Sequence, residues 1–390
     1  MIDITAVRAD TPAAADVVHL NNAGSSLPPT PVTEAVVDYL RAEARLGGYE
    51  AHEALLDRLD DFYAATATML GCTVHELAFQ SGASEAWWRA FTSVELQPGD
   101  RVLAGASEFQ ANAFGLLQAR DRGVDVEVVP NDAAGEIDLD RFDQLVDDRV
   151  RLVCLTMVSM SNGAVQPAAE IGQRCREASV PFLLDACQAA GQLPLRVDEL
   201  ACDFLVYTGR KFMRGPRGTG VLYVNDRVRD RLGPIGYVDG RSAEWCDDGT
   251  WRPLPGGVGF EFGEQNYAGK AGLAVATRYA LEIGLPDIAT RVSELATRLR
   301  AELASIDGVA VHDEGRHRCG IVTFTHERHD PATIWRHLGD HGVNLSAPGR
   351  RNAQWDLGTR GIEAVVRAGV HYFNTDDEIC RLVELVNALD

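Results

Sequence analysis

The chain has 390 residues, 46% apolar and 24% charged, with 57 acidic against 37 basic side chains and a net charge of −20. That balance supplies enough apolar surface for two domain cores and excludes an intrinsically disordered chain. The acidic excess repels phosphate backbones and anionic lipid surfaces, which argues against nucleic acid or a membrane as partner.

The opening "MIDITAVRADTPAAADVVHL" lacks a basic region followed by a long apolar core, and no uninterrupted apolar run reaches the length of a membrane span. The expectation is a cytoplasmic protein. Short β-rich runs then recur at 100–105, 125–130, 150–158, 180–186, 202–208 and 219–224, several separated by helix-like segments. Strands alternating with helices predict an α/β chain with a mostly parallel sheet covered on both faces. A Gly/Pro-rich, tryptophan-bearing passage over 233–259 leads into a long helical stretch from about 267 to 305. Its part 241–257 reads as a lid over the site or as a surface excursion packed by its own aromatics. Beyond it come a strand at 320–326, the helix "PATIWRHLGDHG", the extended "VNLSAP", a strand at 364–372 and a final helix capped by Thr375 with Glu378 three residues on. This divides the chain into a large unit, residues 1–265, and a smaller α+β unit, residues 266–390. The eight cysteines show no C-x-x-C pair and no companion histidines at zinc spacing, so they read as reduced thiols, with no metal site.

Four local features point to one chemistry. "YTGRKFMRGPRGTG" sets Lys211 among Arg210 and Arg214 directly after an apolar strand. Desolvation and nearby cations lower a lysine's pKa and let it condense with an aldehyde. "FLLDACQAAG" ends a strongly apolar strand on Asp185, a carboxylate that needs a cationic partner if buried. The Ser-Gly-Ala-Ser turn at 81–84 opens a helix and offers N–H groups and hydroxyls to a phosphate. Phe109 stands just past a strand end, where its ring can stack on a flat cofactor. A planar, phosphorylated pyridine aldehyde satisfies all four, and pyridoxal 5′-phosphate (PLP) is that molecule.

"LLDACQAAGQLPL", followed about twenty residues later by "CDFLVYTGRKFMRGPRGTGVLYV", resembles the signature of the class V aminotransferase family. These are fold-type I PLP enzymes that include cysteine desulfurases, isopenicillin N epimerase-like proteins and ergothioneine-pathway C–S lyases. The resemblance extends from "HLNNAGSSLPP", which contains Gly24, to "VVRAGVHYFNTDDEICRLV". It implies a seven-stranded-type sheet in a large domain, a small C-terminal domain, and a homodimer. It also implies roles for individual residues. Lys211 holds PLP as a Schiff base and moves the substrate α-proton, Asp185 keeps the pyridine nitrogen protonated, and Gln188 meets the phenolic oxygen. Phe109 stacks, while Ala83, Ser84, Thr208 and Arg210 bind phosphate. Asn162, Arg367 and Gly24 receive the small-molecule amino-acid substrate, Arg367 forking onto its carboxylate.

Departures from the family pattern bear on the reaction. Desulfurases resembling this chain carry a reactive cysteine shortly before the carboxylate-binding arginine, whereas "NLSAPGRRNAQWDLGTRG" has none. Phe109 stands where many relatives have histidine, and Glu264 and Gln265 replace a threonine-bearing phosphate contact expected from a second subunit. Through "LNNAGSSLPP", "LGGYEAHEA" and "TGRKFMRGPRGTG" the chain resembles the epimerase-like and C–S lyase branch, which implies β-elimination from an S-substituted cysteine, a C–S lyase of sulfur-containing natural-product or thiol metabolism. Alternatives are oxidative decarboxylation and deamination of an S-conjugated cysteine, epimerisation or transamination, and, outside catalysis, a PLP-fold binding protein.

Overall fold

The computed structural model describes residues 2–233 and 238–389. Seven strands form the central sheet: β1 (Leu77–Gln80), β2 (Arg101–Gly105), β3 (Asp125–Val129), β4 (Val150–Thr156), β5 (Phe182–Asp185), β6 (Phe204–Thr208) and β7 (Gly220–Val224). Their order is β1-β7-β6-β5-β4-β2-β3, with β7 antiparallel to both neighbours and the rest parallel. The core strands β5, β6 and β7 are buried along their whole length, as expected of a sheet covered by helices on both faces. β1 escapes the periodicity reading because its four residues run straight into the Ser81 turn. It exists through tertiary pairing with β7.

The long helical stretch is two helices, Tyr267–Ile283 and Leu285–Ala304. Gly284, at φ +94°, breaks the first, and Pro286 enters the first turn of the second. A three-stranded antiparallel sheet, with Ile321–His326 between Val309–Val311 and Val366–Gly369, builds the smaller unit. The closing helix Asp376–Asn387 carries the capping box of Thr375 and Glu378. The N-terminal arm crosses the boundary drawn from the sequence: Val18–His19 pairs in parallel with Val343–Asn344, and Asn21 bridges to Gly369.

In the tryptophan-bearing passage, 234–237 lie outside the described residues. The described part forms a hairpin, Ala243–Trp245 against Trp251–Pro253, in which Trp245 and Trp251 face each other across the register and are both exposed. Among the described residues, no helix is long and apolar enough to cross a membrane, and no cluster of three or more side chains suits a metal ion.

Candidate active site

The parallel strands end together, and the site lies beyond their carboxyl ends, where α/β sheets bind ligands. Asp185 closes β5 in register with Thr156 of β4. Its Oδ1 accepts from the Cys187 amide at 2.8 Å and its Oδ2 from Asn112 Nδ2 at 2.8 Å, so both oxygens of this buried carboxylate have donors. Thr208 ends β6, and the next three residues carry the chain to Lys211, which is only 7% exposed. Burial lowers the lysine pKa, with Arg210 and Arg367 acting in the same direction and Cys187 and Asp185 against it.

The lysine loop is anchored by Arg214, whose backbone adopts φ +58°. Its guanidinium donates to Leu27 O at 2.8 Å, Tyr372 Oη at 2.7 Å and Thr11 Oγ1 at 2.6 Å. These bonds tie the loop to the N-terminal arm and the C-terminal unit. Arg214, close to Lys211 in the sequence, thus serves as an anchor, and Arg210 and Arg367 are the cations that lower the lysine's pKa.

Two adjoining cavities, each of about 300 Å³, meet at Lys211. Phe109, Met160, Gln188, Arg210 and Lys211 line both. The first also takes in Ala83, Ser84, Thr208, Asp185 and Thr156. Ala83 and Ser84 open the helix Ala83–Ser93, whose N-cap Gly82 supplies no side-chain cap, leaving first-turn N–H groups for an anion. The Lys211 Nζ lies 5.6 Å from the centroid of the Phe109 ring. Gln188 donates to Ala23 O at 3.1 Å, while its buried Oε1 has no partner.

The second cavity is lined by Gly24, Ser346, Asn352 and Arg367. Arg367 sits in the strand Val366–Gly369 and is 7% exposed. Its Nε donates to Ser346 Oγ at 3.2 Å and its Nη1 to Met160 O at 3.5 Å. Burial and the neighbouring Arg210 push its pKa down to about 10. Arg210 donates to Gly24 O at 2.7 Å, fixing the arm against the lysine loop.

Asn162, expected beside the substrate carboxylate, lines neither cavity. Its Nδ2 donates to Glu314 at 3.2 Å and Asp356 at 3.3 Å, and its Oδ1 accepts from the Ala164 amide at 3.0 Å. Two residues earlier in the same turn, Met160 faces the site. Gln265 is likewise held within the chain: it donates to Glu261 Oε2 at 2.8 Å and accepts from Lys270 at 3.2 Å, while Glu264 is exposed. Glu261 in turn accepts from the Phe79 amide at 2.7 Å, so this network braces the strand that feeds the Ser81 turn. Sequence reasoning missed Asn112, Glu108, Thr156 and Met160. The i, i+4 spacing of Glu108 and Asn112 was the available signal for one pair.

The residues fit PLP. A carboxylate for the ring nitrogen, an aromatic face, a lowered-pKa amine, an open helix N-terminus and an orphaned amide oxygen all border one cavity of suitable size. When bound there, PLP supplies an electron sink for charge developing at the substrate α-carbon. With PLP in this cavity, Asp185 would face the ring nitrogen, Phe109 would offer its ring face, and Lys211 Nζ would be the group placed to move a proton at the α-carbon. Arg367, in the adjoining cavity, would be the cation for a substrate carboxylate.

The chain matches the Aminotransferase class-V family over residues 18–382. It is 29% identical over 394 residues to a protein of Methanothermobacter thermautotrophicus described as "Probable cysteine desulfurase", covering 98% of this chain and 97% of that one. Among solved structures it resembles the apo cysteine desulfurase of Thermococcus onnurineus, with a TM-score of 0.91 at 26% identity over 99% of this chain and 98% of that one. The cystine C–S lyase C-DES, solved with cysteine persulfide, shares the fold at a TM-score of 0.85 and 22% identity over 97% of this chain and 99% of that one. The fold, the cofactor cavity and the match along nearly the whole chain agree: the protein belongs to the class-V aminotransferase family and is a PLP-dependent enzyme of fold type I.

Proposed function

We propose that the protein is a PLP-dependent C–S lyase that releases a thiol from an S-substituted cysteine by β-elimination. The observation that carries this reading is the lining of the second cavity, where Arg367 marks the carboxylate end and no thiol is present among the lining residues. Cys187 borders only the first cavity, and burial next to Asp185 pushes its thiol far up, so it is protonated and a poor sulfur acceptor. Relatives named cysteine desulfurases take sulfur from cysteine. Without a thiolate to receive it here, the sulfur leaves with its own substituent.

In this reaction Lys211 Nζ takes the α-proton and the Cβ–S bond breaks with its electron pair on sulfur. The thiolate picks up a proton, and one water converts the remaining three-carbon fragment to pyruvate and ammonium. Thiol and natural-product metabolism are settings that such chemistry serves. The family resemblance carries with it a homodimer, which light scattering tests directly.

The deciding experiment offers the holoenzyme L-cysteine, L-cystine and S-alkyl- or S-aryl-cysteines, with and without oxygen. Thiol and pyruvate in equal amounts, independent of oxygen, is the expected result. Alanine with sulfide from cysteine would overturn the reading in favour of desulfuration, and an oxygen-dependent aldehyde with carbon dioxide in favour of oxidative decarboxylation.

A further inference from the structure

Glu108 lies directly behind Asp185. It is 3% exposed, and its Oε2 accepts from Asn112 Nδ2 at 3.0 Å and from Thr156 Oγ1 at 2.9 Å. The same Asn112 nitrogen donates to Asp185 Oδ2 at 2.8 Å, so the two carboxylates stand one amide group apart, each taking one of its hydrogens. They differ in what satisfies them. Both Asp185 oxygens have donors, and Lys211 lies close enough to exchange charge effects with it. Glu108 Oε1 is buried with no partner.

An ionised Glu108 would leave half a negative charge on a buried oxygen that no protein donor reaches, beside a second anion. A protonated Glu108 leaves only a neutral hydroxyl there. Of two adjacent buried carboxyls, the one with an oxygen lacking a donor is the one that gains by carrying the proton. We propose that Glu108 is a positioning residue that takes the proton of this carboxyl pair, fixes the Asn112 amide between the two carboxyls, and so leaves the negative charge at the PLP ring nitrogen on Asp185.

The groups facing Glu108 are Asp185 from β5, Thr156 and the Cys154 thiol from β4, and Asn112 from the helix Gln110–Asp121. Burial is the largest cause of its shift, and Asp185 adds to it, together pushing the carboxyl up to about 7, while the bonds from Asn112 and Thr156 oppose them. As pH rises through that value, the neutral acid becomes a second anion next to the cofactor, which the bound chromophore registers.

The test records the visible absorption of the holoenzyme from about pH 5.5 to about pH 9, and the PLP affinity of the apoenzyme. The wild type shows an inflection near pH 7. Glu108→Gln keeps the acceptor for Asn112 and Thr156 but cannot ionise, so it retains PLP affinity within about threefold and loses the inflection. Glu108→Ala removes the acceptor and weakens PLP binding by about tenfold, a split expected if position rather than charge matters. An inflection that persists in Glu108→Gln, or a Gln variant as weak as the Ala variant, overturns the proposal. Should neither variant fold, Thr156→Val removes a bond that favours the ionised form. It then moves the wild-type inflection up by about half to one unit, and an unmoved inflection overturns the proposal equally.

Discussion

Lys270 offers a quantitative check on how the sheet edge beneath the phosphate turn is braced. It is 2% exposed, and its Nζ donates to Tyr63 Oη at 2.6 Å and to Gln265 Oε1 at 3.2 Å among the rings of Phe62, Tyr63 and Phe79. Burial lowers its pKa from 10.5 to about 8. The sign follows from linkage: between those values the unfolded chain binds the proton and the folded chain does not, so stability rises with pH across that window. Below it the charged amine costs the folded state about 3 kcal/mol. Lys270→Met removes that cost but strips a donor from Tyr63 Oη and Gln265 Oε1, a loss of about 1–2 kcal/mol. The variant is thus more stable than wild type by about 1–2 kcal/mol at pH 7, and the order reverses once wild-type Lys270 is neutral in both states. Reversible urea unfolding of both proteins at about pH 7 and about pH 9.5 measures the difference, which shifts by about 2 kcal/mol toward the wild type. A difference independent of pH, or a Met variant less stable at pH 7, would refute the reasoning.

Lys211→Ala still binds PLP through its phosphate and Asp185, but borohydride no longer fixes the cofactor to the chain, as peptide mass spectrometry will show. Asp185→Asn keeps the shape of the side chain and removes its charge, so kcat falls by about a hundredfold or more while the fold and the Cys187 contact remain, checked by steady-state kinetics and circular dichroism. Arg367→Lys loses the fork onto the substrate carboxylate and raises KM by about ten- to a hundredfold with a smaller effect on kcat. Addition of a substrate analogue lacking the carboxylate should be indifferent to this substitution, and a KM unchanged for the amino acid would remove Arg367 from the substrate site.

Most of the large sheet is legible because strands buried on both faces, such as β5 to β7, read as apolar runs, and the valines of β2, β3 and β4 mark those strands by residue type. Lys211 and Asp185 are legible for a related reason: an ionisable group at the end of such a run needs an explanation wherever the chain goes. What local pattern cannot supply is direction. Asn162 and Met160 share one turn, and only the bonds from Asn162 to Glu314, Asp356 and the Ala164 amide decide which of them faces the cavity. Arg214 stands beside Arg210 in the sequence, yet its partners are Leu27, Tyr372 and Thr11, brought to it by remote parts of the chain.

The amino-acid sequence by itself thus determined the sheet, the cofactor and which lysine stands at a strand end, because burial periodicity and isolated charges are properties of neighbouring residues. Only the tertiary structure decided how the cavity is walled, why the N-terminal arm joins the C-terminal unit, and that Glu108 and Asp185 share one amide. Hydrogen bonds between residues distant in the chain set those relations, and their geometry exists only once the strands have closed on one another.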